Sequence, residues 1–312
     1  MQYCIVDILR ISFKSKIFYI SALSFQVGGF GPHGITNQIA YFSPQKIWIP
    51  LTTIPHIECT NFGCSVLQNT LYVIGGCFNQ TEATLTEHVH PFGFAYDPRR
   101  NQWSRISPMN RERCRFTLTA VKDKLIAIGG CGNTDENLND GDDQFMALED
   151  FESSVEIYDI NTDRWRFLPP LPNGGRSQHA ACCLDVNKII ISGGINSDME
   201  VLEDTLILDL VTNEWISALK LPQSRADHVM ISLNRTQVLV IGGWTYGAEN
   251  QRHLIDSIDI YDYELGQWQH ETNIPTPRFH SGVALVGDKL HIVGGFHSDV
   301  TFDRATGELY KT

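Results

Sequence analysis

An all-β fold of six radially stacked four-stranded antiparallel units, a six-bladed β-propeller, is predicted by three features of this 312-residue chain. An apolar segment ending in Gly-Gly recurs six times. Five of the copies carry a Trp seven residues after an aromatic or apolar residue, and turn-forming residues lie between the two. A lone four-stranded unit cannot cover both faces of its sheet, so the units are expected to stack and bury one another's faces.

The Gly-Gly pairs begin at Gly28, Gly75, Gly129, Gly193, Gly242 and Gly294 and close SFQVGG, LYVIGG, LIAIGG, IIISGG, VLVIGG and LHIVGG. Subtracting successive first glycines gives steps of 47, 54, 64, 49 and 52 residues. The aromatic pairs follow: Tyr41/Trp48, Tyr96/Trp103, Tyr158/Trp165, Leu208/Trp215 and Tyr261/Trp268, with Phe302 and Leu309 in the sixth copy. YDPRRNQW, YDINTDRW and YDYELGQW between them suit hairpin turns. Each repeat therefore reads as strand, strand ending in Gly-Gly, loop, strand with Tyr, turn, strand with Trp. The glycines permit close backbone approach, and Tyr and Trp supply packing area between units. Replacing a Trp by Ala is expected to unfold the chain before it reveals any site.

Apolar residues make up 42% and charged residues 19%, a composition that folds. The formal charge of −12 repels a phosphate backbone, and with no basic stripe to offset it nucleic acid is not an expected partner. The stretch from Met1 to Phe25 is apolar but interrupted by Asp7, Arg10, Lys14 and Lys16, so neither a signal peptide nor a membrane segment is expected. Eight cysteines without paired spacing or a CxxC motif favour a reducing, cytoplasmic setting.

These columns, and the copies RSQHAACCL…IIISGG and TPRFHSGVALVGDKLHIVGG, closely resemble the kelch repeat of the C-terminal propellers of kelch-like proteins. The resemblance covers residues 17–312 and leaves 1–16 as an N-terminal extension. It implies a protein partner or peptide motif bound at the propeller mouth. In that family BTB and BACK domains precede the propeller and recruit a cullin-RING ubiquitin ligase. The resemblance therefore implies substrate recognition for such an adaptor, with any cullin contact made by domains absent from this chain. The alternatives are an actin-associated scaffold and, less favoured, a kelch-fold enzyme such as a sugar epimerase or metal-dependent specifier. The last blade is expected to be short, since six residues separate Gly295 from Phe302, and Lys16 to Ala22 is expected to supply the first strand of blade one.

Counting back fifteen positions from the second glycine of copies two to six gives a polar column: Asn61, Arg115, His179, His228 and His280. The resemblance places it at the central mouth. Arg176, Arg225 and Arg278 lie just upstream, and Arg105 follows Trp103 in an adjoining loop; all four are candidates for the rim, or else pair with carboxylates. After Gly-Gly come Phe30, Trp244 and Phe296 in three copies, expected with Tyr246 to form an apolar anchor patch or to pack under the loop. The acidic segment from Cys131 to Ser153 reads as a solvated loop that tunes partner choice. Its DENLNDG fails as a calcium loop, because Gly141 is one place late and Met146 stands at the closing Glu position. Glu136 and Asp140 match the ligand spacing of iron-using specifiers, but Gln144 replaces the His. His88 and His90, near Glu82 and Glu87, lack a third spaced ligand. The expectation is thus a protein that is not an enzyme and uses no metal and no cofactor.

Overall fold

The computed structural model describes residues 4–6, 25–31, 34–43, 47–56, 59–79, 87–133, 150–249, 251–286, 289–297, 300–302 and 309–311. Five four-stranded antiparallel sheets form from it. Blade one comprises Cys4–Val6, Phe25–Gly31, Gly34–Phe42 and Trp48–Thr53. Blade two runs from Gly63–Leu67 through Thr70–Ile74 and Gly93–Asp97 to Gln102–Ile106. Blade three contains Thr117–Val121, Lys124–Ile128, Val155–Asp159 and Arg164–Leu168. Blade four holds Ala180–Asp185, Lys188–Ser192, Thr205–Asp209 and Glu214–Ser217, and blade five Val229–Ser232, Gln237–Ile241, Ser257–Asp262 and Gln267–Asn273.

The expected sixth four-stranded blade is not found among the described residues. Phe279–Val286 pairs only with Lys289–Phe296, and Val300–Phe302 forms a separate hairpin with Leu309–Lys311. The short connection after Gly295 leaves little chain to lay a third strand beside Lys289–Phe296. Cys4–Val6, within the 1–16 segment expected to be an extension, pairs with Phe25–Val27 and lies against both Phe279–Val286 and Gly63–Leu67. Six inner strands thus neighbour one another around one axis. The expected strand from Lys16 to Ala22 lies outside the described residues.

The core is divided among the gaps between neighbouring sheets. Phe25, Val27 and Ile39 of blade one meet Leu71, Val73 and Tyr96 of blade two, and four further clusters fill the succeeding gaps. Second strands such as Leu125 to Ile128 are therefore buried on both faces and apolar throughout, while outermost strands such as Gln102–Ile106 are largely exposed. Tyr96, Tyr158 and Tyr261 sit directly across from Trp103, Trp165 and Trp268, with ring centroids 5.0–5.1 Å apart. The Trp Nε1–H groups reach back one blade. Trp165 donates to the Ser107 carbonyl at 2.9 Å, Trp215 to Pro169 at 3.1 Å and Trp268 to Leu219 at 3.0 Å. The aromatic columns therefore stitch successive blades together.

In blades two to five Gly-Gly follows the second strand where the next blade crowds it, and in Phe25–Gly31 and Lys289–Phe296 it lies within the strand. At Gly129 φ is +61° and an added Cβ would meet the Arg176 carbonyl oxygen at 2.6 Å. The Gly130 N–H donates to that same oxygen at 2.8 Å. Among the described residues no helix is long and apolar enough to cross a membrane. Six described cysteines are free thiols, while Cys64 is disulfide-bonded, unlike the sequence expectation.

Candidate functional site: the mouth of the central channel

A channel of about 500 Å³ follows the axis, lined by the inner strands of blades two to five and by Ser281 to Val283. At one end Asn61, Arg115, Gln178, Asp227 and His280 all adopt left-handed backbone, with φ between 51° and 57°. Their main chains form a relay around the axis. The Arg115 N–H donates to Asn61 at 2.9 Å, Gln178 to Arg115 at 3.1 Å, Asp227 to Gln178 at 2.8 Å and His280 to Asp227 at 3.1 Å. Three members were anticipated from spacing; His179 and His228 were not correctly placed. Blades four and five carry one more residue in the inner hairpin, seen as a register shift between Cys183 and Asp185 in blade four. Counting back fifteen positions therefore lands one residue too late.

The displaced histidines are buried between blades. His179 Nε2 lies 3.2 Å from Thr117 Oγ1 and His228 Nε2 2.9 Å from Ser192 Oγ. Burial, reinforced by Arg176, pulls the His179 pKa down to about 3, and burial with Arg225 holds His228 well below its ordinary value. Both imidazoles are neutral packing elements.

The upstream arginines are also internal. Arg176 and Arg225 are 1% exposed and pair with Asp204 and Asp259, each at 2.7 Å. Arg113, which spacing did not single out, is fully buried and pairs at 2.8 Å with the fully buried Glu156. Each guanidinium donates to the carbonyl of the first glycine in its own blade, as does half-buried Arg278 to Gly294 at 2.8 Å. Their own carbonyls accept from the second glycine of the preceding blade. These arginines fasten blades and are not rim charges. Arg105 lies in the exposed outermost strand of blade two, opposite Phe94, and so sits away from the axis.

Trp244 is 2% exposed, so it supports the mouth from beneath. Its Nε1–H donates to Asp227 Oδ2 at 2.8 Å, and the other carboxylate oxygen lies 3.2 Å from His280 Nδ1. Burial lowers the His280 pKa and Asp227 opposes this, while Arg115 and Arg252 add to the lowering. Above Trp244, the Arg252 guanidinium stacks at 4.3 Å and the ring of exposed Tyr246 meets it edge-on at 5.2 Å. Phe296 packs on Phe279 at 5.4 Å, within the cluster that includes Trp244. Phe30 lies in blade one opposite Ile35, and its side chain is outside what the structure describes. The residues gathered at the mouth are therefore Asn61, Arg115, Gln178, Asp227, His280, Tyr246 and Arg252. Gln178, Asp227 and Arg252 were missed; the left-handed backbone column finds the first two, and the hairpin pairing Tyr246 with Arg252 brings in the third. The acidic loop lies mostly outside the described residues, including Glu136, Asp140 and Gln144.

Residues 115–310 match the model of the KLHDC2/KLHL20/DRC7 Kelch-repeats domain. The chain is 25% identical to Kelch-like protein 26 of Danio rerio, across 99% of this chain and 52% of that protein. It is 26% identical to Kelch-like protein 36 of Rattus norvegicus, across 83% of this chain and 39% of that protein. It spans about half the length, or less, of these relatives. The solved structure of YjhT superposes with a TM-score of 0.75 over 100% of this chain and 93% of that one, at 16% identity, a likeness of fold.

Proposed function

This chain belongs to the kelch-repeat family, and from that premise we propose that it is a binding module holding a protein or peptide motif at the mouth of its channel. The relay of five left-handed residues carries this reading. Non-glycine residues in that conformation cost roughly 1–2 kcal/mol each, and such strain collects where a site is pre-organised. Arg115 and Arg252 bring positive charge to the mouth of a chain whose formal charge is −12, and Tyr246 adds an exposed aromatic ring beside them. Arginine and aromatic side chains together are the usual composition of binding hot spots. The partner that fits presents a carboxylate next to an apolar side chain.

Within this reading the module recognises substrates for a cullin-RING ubiquitin ligase adaptor, the cullin being met by domains outside this chain. Its support is the likeness to kelch-like proteins of about twice this length. An actin-associated scaffold is the alternative. We assign no catalytic role and favour neither a sugar epimerase nor a metal-dependent specifier. A cytoplasmic setting belongs to the same reading: the free thiols favour it and the bonded Cys64 counts against it. The hairpin of the sixth repeat would complete a ring of six blades.

The test is an affinity capture from cytosolic extract with the chain and with an Arg115→Ala/Tyr246→Ala variant whose circular dichroism and Tm match the parent. Trp244 is left intact because it is buried. Partners retained by the parent and lost by the variant are expected; equal capture by both refutes a site at the mouth. Filament co-sedimentation unaffected by the variant would favour the scaffold.

A further inference from the structure

Blade two departs from the later repeats at the position where they carry an arginine. Short bridges Thr60↔Cys77, Cys114↔Cys131 and Ala226↔Trp244, with the pairs Ser177↔Ile195 and Phe279↔Phe296, align the repeats. The residue before the bridge is Arg113, Arg176, Arg225 or Arg278 in the later repeats, and Cys59 in blade two. The carboxylate position filled by Glu156 opposite Ala127, and by Asp259 opposite Val240, holds Phe94 opposite Val73. Beside Cys59 and Phe94 stand two imidazoles, His56 and His90.

We propose that His56, Cys59 and His90 form a binding site for a zinc-type divalent transition-metal ion. One ligand atom from each lies within 4.8 Å of the others. The imidazole rings stack at 4.6 Å. His90 is 5% exposed; its Nδ1 accepts the Phe92 N–H at 3.3 Å, and its Nε2 is buried with no hydrogen-bond partner. Buried polar atoms normally have partners, so an orphan on an imidazole that is grouped with a thiol and a second imidazole points to a ligand. The His90 backbone is held by its N–H bond to the Gly76 carbonyl at 3.1 Å. Phe78 lies 5.8 Å from both imidazoles and Phe94 5.7 Å from His56, an apolar shell on the protein side. His56 is half-buried and leaves a route of entry.

Two imidazoles and a thiolate select zinc and its neighbours over calcium or magnesium, which prefer oxygen. The His-x-x-Cys spacing brings two ligands from one loop, and three protein ligands leave a fourth position for solvent, as in open zinc sites. On binding, the Cys59 thiol proton goes to solvent. The His90 ring proton moves from Nε2 to Nδ1, which gives up the long bond from Phe92. No electrons are transferred. The proposal does not rest on the mouth binding a partner.

The experiment titrates the metal-stripped chain with Co²⁺, followed by Zn²⁺ competition, using circular dichroism to verify the fold. One equivalent of Co²⁺ is expected to produce a thiolate-to-cobalt charge-transfer band that Zn²⁺ abolishes. Cys59→Ser should remove the band, and His90→Gln and His56→Gln should each weaken binding by roughly tenfold or more. Cys183→Ser, at a free thiol elsewhere, should leave it intact. Absence of the band in the folded parent, or its survival in Cys59→Ser, overturns the proposal. If the two buried substitutions unfold the chain, His56→Gln decides: unchanged affinity overturns the site, and weakened affinity supports it.

Discussion

The ion pair between Arg113 and Glu156 gives a sharp test of how the blades are fastened. Both side chains are fully buried and 2.8 Å apart. The guanidinium also donates to the Gly129 and Ser154 carbonyls and to Ser154 Oγ, while the carboxylate accepts from the Asn110 N–H and side-chain amide and from the Arg111 N–H. Burial pulls the Arg113 pKa down and Glu156 pulls it back up. Arg113→Met removes the cation and strands a carboxylate that water cannot reach, an effect worth about 3–5 kcal/mol. At roughly 2–4 °C per kcal/mol for a chain of this order of size, the Tm falls by about 6–20 °C. Glu156→Gln in the Arg113→Met background removes the stranded charge while keeping one oxygen to accept from Asn110 or from Arg111. The double variant should therefore be more stable than the sum of the single losses by about 2 kcal/mol. Across equivalent sites the loss should follow burial of the carboxylate: Arg113→Met above Arg225→Met, and both above Arg176→Met, whose Asp204 partner is 23% exposed. Urea denaturation followed by Trp fluorescence measures all of these. A loss below about 1 kcal/mol for Arg113→Met, or strict additivity in the double variant, would refute the account.

Acid should destabilise the fold through its buried histidines. An unfolded His titrates near 6.5 while folded His179 does so at about 3 and His228 well below 6.5, so the unfolded chain takes up protons first and stability falls as pH drops below about 6.5. At pH 5 His179 contributes a loss of about 2 kcal/mol and His228 a loss of the same sign, and His179→Asn/His228→Asn should flatten urea stability between pH 7 and 5; an unchanged slope counts against neutral burial. Trp165→Phe should cost about 1 kcal/mol by deleting the bond to Ser107, and Trp165→Ala about 3–5 kcal/mol; an unchanged melt for Trp165→Phe would mean the indole N–H contributes nothing, and equal losses that the ring packing does not. Gly129→Ala, whose Cβ would meet the Arg176 carbonyl at 2.6 Å, should lose clearly more Tm than Gly174→Ala, which has positive φ but nothing within 4 Å. Equal losses would show that backbone conformation alone, not blade contact, selects glycine in the Gly-Gly columns.

Much of the blade architecture was legible in the sequence because the packing demands recur: each second strand is buried on both faces, and each Trp must reach the blade before it. Register was less legible. Counting back from Gly-Gly assumes equal hairpins, and one additional residue in blades four and five substituted His179 and His228 for Gln178 and Asp227. The arginines misled for another reason, since charge suggests surface and their carboxylate partners lie 28–43 residues away, beyond any local pattern. Backbone bonding sets the columns independently of hairpin length. Once Thr60↔Cys77 is aligned with Cys114↔Cys131, Cys59 falls in an arginine column and Phe94 in the column of Glu156 and Asp259. A guanidinium that bonds its own blade, on a residue whose carbonyl bonds the preceding one, cannot be replaced by a thiol without changing what surrounds it, and here His56 and His90 stand beside the thiol. The departure of one repeat from its neighbours therefore carries site information that residue type alone, as in His88 and His90, did not.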